Sequence, residues 1–482
     1  MENTVLNVGS VLPQLIVTGS GMLVMVADAL VRSSRKGWLG WLALVGLGAG
    51  LVSAVVGGIR PPAFDGMLAA DGISAGFAVL LTAAAMVSVL LAMDYLRREG
   101  LEPGAYYALT LFATAGALVM AAAADLIAIF IGLEVLSISL YVLAGYAKSE
   151  APSREAGLKY LLLGAFASAF FLYGMALLYG ATGSTRLAAM GQALRQAGVA
   201  RDPLLWAGAA LLTVGLGFKL ALVPFHSWAP DVYQGAPTSV TAFMSVASKA
   251  AAFAALVRVL LVLLAPAMPL MSTILAILAV LTMTVGNLLA LVQEDVKRLL
   301  AYSSIAQAGY VLVALVAGSQ LGGTAVLFYL TGYVFTNLGA FAVVTAWQKK
   351  GATGVPSADL AGLGFRRPWM AAALGLCLLS LTGIPLTAGF VGKFYLFGAA
   401  VQAGWTWLAI VAVLNSVVSA FYYLHLVVLM YMREPAGAVP EARPGWALGA
   451  ALVLCVAGVL VLGLVPGPVM AWAQWALSAV GV

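Results

Sequence analysis

Apolar residues run through this chain in blocks of roughly 20, the length an α-helix needs to cross a hydrocarbon core about 30 Å thick. Fourteen such blocks centre near residues 20, 48, 83, 113, 136, 170, 212, 250, 281, 310, 335, 384, 418 and 456. None alternates apolar and polar positions as a membrane strand would, and Ala, Leu and Gly dominate them, so the pattern predicts helices. The expected fold is an all-α polytopic membrane protein. The polar opening, MENTVLNVGS, has no basic stretch and no cleavage site follows it, so the first block is expected to stay as a membrane anchor.

Two blocks break the pattern at matching places. In "GFKLALVPFHSWAP", Pro224 and Pro230 follow Lys219; in "LTGIPLTAGFVGKFYLF", Pro385 and three glycines precede Lys393. Proline removes a backbone hydrogen bond and clashes with the preceding turn, so helices 7 and 12 should be interrupted in mid-membrane. Unwound backbone there is tolerated only where it is buried or lines a polar cavity. Paired interruptions are the mark of transporters built on repeats, with the site at the breaks. The division expected is helices 1–3 in 1–100, a first five-helix repeat (helices 4–8) in 101–265, a second (helices 9–13) in 266–432, and helix 14 with a tail in 433–482. The halves differ chemically. Aligning "LEVLSISLYVLAGY" with "AYSSIAQAGYVLVA" on Tyr141 and Tyr310 sets Ser303 against Glu134, so the acid belongs to one half only.

Composition sharpens this. The chain is 63% hydrophobic and 9% charged, against about 25% charged in an ordinary soluble domain, which excludes a soluble globular protein. One set of loops carries Arg32, Arg35, Lys36, Arg97, Arg98, Lys148, Arg154, Lys159, Lys297, Arg298, Lys349, Lys350, Arg366, Arg367, Arg433 and Arg443. The other carries Arg60, Arg186, Arg195, Arg201 and Arg258. Positive-inside places the first set in the cytoplasm and both termini outside. The net charge of +6 then reflects topology, and nucleic acid is not an expected partner. Cys377 and Cys455 stand alone in apolar runs, and His226 and His425 are the only histidines. Iron–sulfur, haem and zinc sites lack their ligands, and no phosphate loop follows a strand. No cofactor is expected in this chain, and no electron path.

Three lysines, Lys219, Lys249 and Lys393, lie inside apolar runs, and Glu134 lies in another with no base beside it. A bare acid at the bilayer centre costs at least ~2.5 kcal/mol, so Glu134 should face the bundle interior and have a partner, with Lys219 the best placed. Moving such a pair apart and together would make the lysine release and take a proton, which is the minimum of a pump. The plainer alternative is a static buried pair. For Lys249 and Lys393 the alternative is a lysine satisfied by carbonyls freed at a broken helix. His226, two residues after Pro224, is read as relay or brace, and His425 as packed. Lys159 and Lys297 are carriers or ordinary flanking charges. Asp125 reads as an N-cap, and Asp231, Glu294 and Asp295 as loop acids, either plain solvated charge or collectors of protons at a cytoplasmic mouth.

At these residues the sequence resembles a known family. "PFHSWAPDVYQGAPTSVTAFMSVASKAAA", "EDVKRLLAYSSIAQAGY" and "GIPLTAGFVGKFYLF" are similar to the antiporter-like membrane subunits of bacterial respiratory complex I, the proton-pumping NADH:quinone oxidoreductase. "DVYQGAPT" favours the N type over its L and M paralogues. The resemblance spans about 100–430. It implies fourteen helices, two inverted five-helix repeats, a Glu in helix 5 paired with a Lys in helix 7, a Lys in helix 8 and a charge in helix 12. Glu134, Lys219, Lys249 and Lys393 occupy those places, and Lys159, His226 and Lys297 match commonly charged ones. It further implies M-type and small K/J/A-type membrane subunits as partners beside the lipid bilayer, a bacterial inner-membrane location, and flavin, iron–sulfur clusters and quinone held elsewhere in the complex. A Mrp-type cation/proton antiporter subunit is the competing reading, and a spacer with relic charges the third.

Overall fold

Hydrocarbon offers no partner for a backbone amide, so chain at membrane depth bonds within its own helix. The computed structural model, which describes residues 7–31, 36–196, 202–435 and 445–478, follows that demand. Among the described residues thirteen helices are long and apolar enough to cross a membrane: Val8–Leu30, Trp38–Gly57, Gly72–Glu99, Pro103–Ala122, Leu126–Ala144, Ala151–Thr182, Pro203–Leu220, Thr238–Leu263, Ala265–Ala290, Val296–Leu315, Gln320–Trp347, Thr406–Met432 and Trp446–Leu464. The shorter Pro368–Thr382 and Ala388–Gln402 form one further, broken crossing between the eleventh and the last two. Numbered in chain order these are crossings 1–14, and each contains the centre expected from the apolar blocks. A two-stranded hairpin, Arg60–Ala63 with Leu68–Ala70, fills the turn between crossings 2 and 3.

Crossings 4–8 and 9–13 repeat one another. Asp125 caps the start of crossing 5 and bridges to Arg186, and Asp295 caps crossing 10 and bridges to Pro356 at the same offset along the chain. Gly116 brings crossing 4 against Leu136 of crossing 5, and Gly286 brings crossing 9 against Ala306 of crossing 10, again at that offset. A Cβ at either glycine would meet the facing backbone nitrogen at 2.5 and 2.8 Å, so only glycine allows these approaches. Five crossings separate equivalent points. The Asp125 cap therefore lies on one membrane face and the Asp295 cap on the other, and the repeats are inverted. This shared offset corrects the sequence alignment by one residue. Ser304, not Ser303, stands where the first repeat has Glu134, because matching the tyrosines ignored the caps that set helix register.

Crossings 8, 10 and 11 are enclosed almost completely, while 1, 6, 13 and 14 expose broad apolar faces. The polar groups that matter lie among the enclosed helices. Arg258 departs from its sequence reading as a loop charge. It is buried at the end of crossing 8, with both amino groups on the Asp71 carboxylate at 2.7 and 2.6 Å. Burial raises the Asp71 pKa, but the guanidinium's charge and hydrogen bonds outweigh that and hold it below the usual carboxylate value. Arg32, Arg35, Arg201 and Arg443 lie outside the described residues.

Candidate functional site

Lys219 is in the last turn of the first half of crossing 7. Ala221 closes that half in the left-handed conformation, φ 56°, and the Leu222 amide turns back to the Gly217 carbonyl at 2.8 Å. The chain then runs irregularly, and its freed groups find partners. Val223 N donates to Thr282 Oγ1 of crossing 9 at 3.1 Å, and Trp228 Nε1 donates to the Phe218 carbonyl at 2.9 Å. The Trp228 ring stacks on Tyr160 with centroids 4.5 Å apart. "FHSW" is thus a wedge that holds the break open and satisfied, and the short helix Trp228–Gly235 follows it.

The buried Lys219 ammonium donates to Ser137 Oγ at 2.8 Å and Tyr160 Oη at 3.2 Å. Glu134, half-buried one turn before Ser137, accepts from Ser168 Oγ instead. The expected Glu134–Lys219 contact is therefore absent, and hydroxyls stand between the two charges. The reason is helical spacing, since Glu134 and Ser137 share a face of crossing 5 and the lysine reaches the nearer of the two. Ser137, Ser168 and Lys219 line one narrow cavity with room for about one water, and the field of Glu134 reaches Lys219 across it.

Lys249, enclosed in crossing 8, donates to the Ser304 carbonyl of crossing 10. Beside it, Tyr333 Oη donates to Ser304 Oγ at 2.8 Å, and Asn337 Nδ2 to Ser245 Oγ at 2.6 Å. Ser248 Oγ and Asn337 Oδ1 are buried with no protein partner. Lys393 sits in the second half of crossing 12 and reaches back over the break. It donates to the Leu381 and Thr382 carbonyls and to Ser416 Oγ, each at 3.0 Å, with its ammonium 4.4 Å from the Tyr310 ring centroid. That break closes tightly. A Cβ at Gly389 would sit 1.8 Å from the Ser380 carbonyl oxygen.

The other candidates lie apart from this interior. His226 is half-buried in the crossing-7 break, its Nδ1 enclosed without a protein partner. Lys159 is half-exposed and pairs with Glu155 at 2.7 Å and Asp231 at 2.8 Å. Asp231 also takes Arg298 at 2.7 Å. Burial raises its pKa, but the bonds from Lys159 and Arg298 more than reverse that, and the carboxyl is held low. Lys297 is fully buried and donates to the Ala236 and Thr353 carbonyls at 2.7 and 2.9 Å. These groups surround the short helix Trp228–Gly235 at the lysine-rich membrane face. His425 is on the outer part of crossing 13. Sequence reasoning missed Ser137, Tyr160, Ser168, Ser304, Gln307, Tyr329, Tyr333 and Tyr423. Their only signal was hydroxyls and amides facing the lysines at helical spacing, which is common in membrane helices.

A family model described as NADH:quinone oxidoreductase/Mrp antiporter, TM matches residues 123–419, which takes in both breaks and runs from crossing 5 into crossing 13. The chain belongs to this family. Among its curated relatives are the NADH-quinone oxidoreductase subunit N of Trichlorobacter lovleyi, 45% identical over 98% of each chain, and the subunit N 2 of Roseiflexus castenholzii, 47% identical over 94% of this chain and 93% of that one. A chain of respiratory complex I from Thermus thermophilus with bound aureothin superposes with a TM-score of 0.82 at 39% identity, covering 95% of this chain and 98% of that one. A chain of the Mrp complex from Dietzia sp. superposes with a TM-score of 0.86 over 97% of each chain at 23% identity, a likeness of fold alone. Family membership accounts for the inverted repeats and the paired breaks. The hydroxyls and carbonyls around each lysine are this chain's own geometry.

Proposed function

We propose that this chain is the N-type proton-translocating subunit in the membrane arm of a respiratory NADH:quinone oxidoreductase. Protons move along Glu134, Lys219, His226, Lys249 and Lys393, with Lys159 and Lys297 at the cytoplasmic mouth. One observation carries the reading. Three buried lysines stand in succession across the two repeats, each held by hydroxyls or carbonyls and none by a contacting carboxylate. A lysine held by neutral acceptors can release its proton without stranding a buried carboxylate, whereas a tight ion pair resists discharge. The distant Glu134 then biases Lys219 through the cavity without trapping it. Buried polar atoms without protein partners, Ser248 Oγ and Asn337 Oδ1, are what a hydrated path beside Lys249 needs.

The subunit itself is non-redox. Flavin, iron–sulfur clusters and quinone belong to other subunits, with M-type and small K/J/A-type chains as membrane neighbours. Both termini face the periplasm of a bacterial inner membrane, and the loop from Lys349 to Arg367 faces the cytoplasm. The identity to subunit N relatives over nearly full length favours this reading above the antiporter one. The test is proton uptake into vesicles per NADH oxidised by complexes carrying Lys249→Ala or Lys393→Ala at matched content. Loss of uptake is expected. Unchanged uptake in both would leave the chain a spacer. Reporter fusions at Gly351 and at the C-terminus should give opposite signals, and equal signals would reject the topology.

A further inference from the structure

Between Lys249 and Lys393 the second repeat holds a row of hydroxyls and one amide, with no carboxylate, amine or imidazole among them. Lys249 rests on Ser304. The neighbouring Ser303 Oγ bonds Tyr423 Oη. Gln307 Nε2 donates to Tyr423 Oη at 3.3 Å and to the Leu381 carbonyl at 3.1 Å, and Gln307 Oε1 accepts from Tyr329 Oη. Leu381 is also the carbonyl that receives Lys393. The Gln307 side chain is buried, and both its amide hydrogens and its oxygen are engaged.

A hydroxyl passes a proton on, because it accepts one at oxygen while releasing its own. A primary amide does so only by taking a proton at Oε1 and giving one up from Nε2, which leaves the imidic acid tautomer. That form must reverse both transfers, or rotate, before a second proton can follow. Ser303, Tyr423 and Tyr329 are hydroxyls, and Gln307 is the group that joins them to the crossing-12 break. Between the two carbonyls that hold the lysines, the side chains are thus hydroxyls around one amide.

Resting on the reading of this chain as a proton pump, we propose that Gln307 is an insulating gate between Lys249 and Lys393. In the bonded arrangement it holds the two tyrosines and the broken helix together and stops protons from running down the hydroxyls unpaced. Protons pass when the Leu381 carbonyl or a tyrosine lets the amide go and water takes its place. Gln307 acts through these neighbours, as a positioning residue that prevents leakage.

The variant that breaks the gate is Gln307→Glu, because a carboxyl of nearly the same shape accepts and releases protons at oxygen. Reconstituted whole complex is loaded into vesicles, a pH gradient is imposed without NADH, and its collapse is followed. Passive proton flux should rise by roughly 100-fold relative to wild type, the size of a modest general acid–base contribution. Gln307→Met, which fills the space and relays nothing, should leave the leak at the wild-type level. Wild-type leakage in an assembled Gln307→Glu complex would overturn the gate. If that variant fails to assemble, Tyr329→Phe takes over the test, since it frees Gln307 Oε1 without adding charge. A raised leak supports the gate and an unchanged one rejects it. Proton uptake per NADH by the wild-type complex, measured in the same vesicles, separates failure of the gate from failure of the pump reading.

Discussion

The two repeats share a backbone plan and divide the chemistry unequally. In the first, Lys219 has a carboxylate, Glu134, nearby but out of contact: the lysine bonds Ser137 and Tyr160, and the acid bonds Ser168. In the second, Ser304 stands in the acid's place, and Lys249 and Lys393 lean on backbone carbonyls. A carboxylate gives its repeat a charge that can be moved or protonated to drive the lysine. Carbonyl dipoles are fixed in their helices and can only hold. The first repeat therefore reads as the driven half, and the second as the half that stores and passes protons under the control of Gln307.

The sharpest way to break the comparison is Lys219→Arg. Arginine keeps the positive charge and can still bond Ser137, so a static bracing role should tolerate it. A carrier should not, because guanidinium stays protonated with a pKa above about 12. The complex should assemble normally, and proton passage should fall on the order of 100-fold, as in Lys219→Ala, the scale of a lost general acid–base group. Uptake of protons per NADH at matched complex content decides the matter. Wild-type pumping in the arginine variant would make Lys219 a brace and the two repeats equivalent.

A smaller effect separates the equivalent positions Glu134 and Ser304. Removing one charge–charge interaction of about 1.4 kcal/mol slows a step tenfold. Glu134→Gln should therefore slow quinone reduction by the whole complex about tenfold. Ser304→Ala leaves the carbonyl that receives Lys249 and removes neutral hydroxyl contacts such as the bond from Tyr333, each worth about 1 kcal/mol of stability. Its quinone reductase rate should stay close to wild type. Equal damage from both substitutions would mean that the serine hydroxyl does in the second repeat what the acid does in the first.

Much of this was legible in the sequence, for physical reasons. Apolar blocks of bilayer length fixed all fourteen crossings, and Pro224 and Pro385 marked the two breaks, because hydrocarbon leaves the chain few alternatives. The buried lysines stood out for the same reason. What the sequence hid was distance. Nothing in the spacing of Glu134 and Lys219 says that Ser137 intercepts the lysine, or that Ser168 takes the acid. The role of Arg258 was also hidden, since an arginine at a helix end reads as a flanking charge until Asp71 is seen on it. Gln307 carried only the weak signal of a polar group on a helix that faces the lysines, and its part is hidden until its three partners are known.

The smallest expected effect lies at the lysine-rich face, where Asp231 joins Lys159 of the first repeat to Arg298 of the second. These groups are half-exposed, and such pairs contribute at most about 1 kcal/mol each. After Asp231→Asn, Lys159 keeps Glu155 and Arg298 keeps Gln234, so the complex should lose only about 1 kcal/mol of stability and pump normally. The pH dependence has a definite sign. The folded carboxyl is held below its ordinary value, so its contribution is fully present above the unfolded pKa, near about 4, and fades only as pH falls below that. Thermal melting of wild type and Asp231→Asn should therefore differ by the same small amount at pH 7 and pH 5. A variant that melts like wild type yet pumps poorly would move Asp231 from strap to proton entrance. The aqueous mouth would then belong to the short helix Trp228–Gly235, and the division of labour between the repeats would begin at the membrane surface.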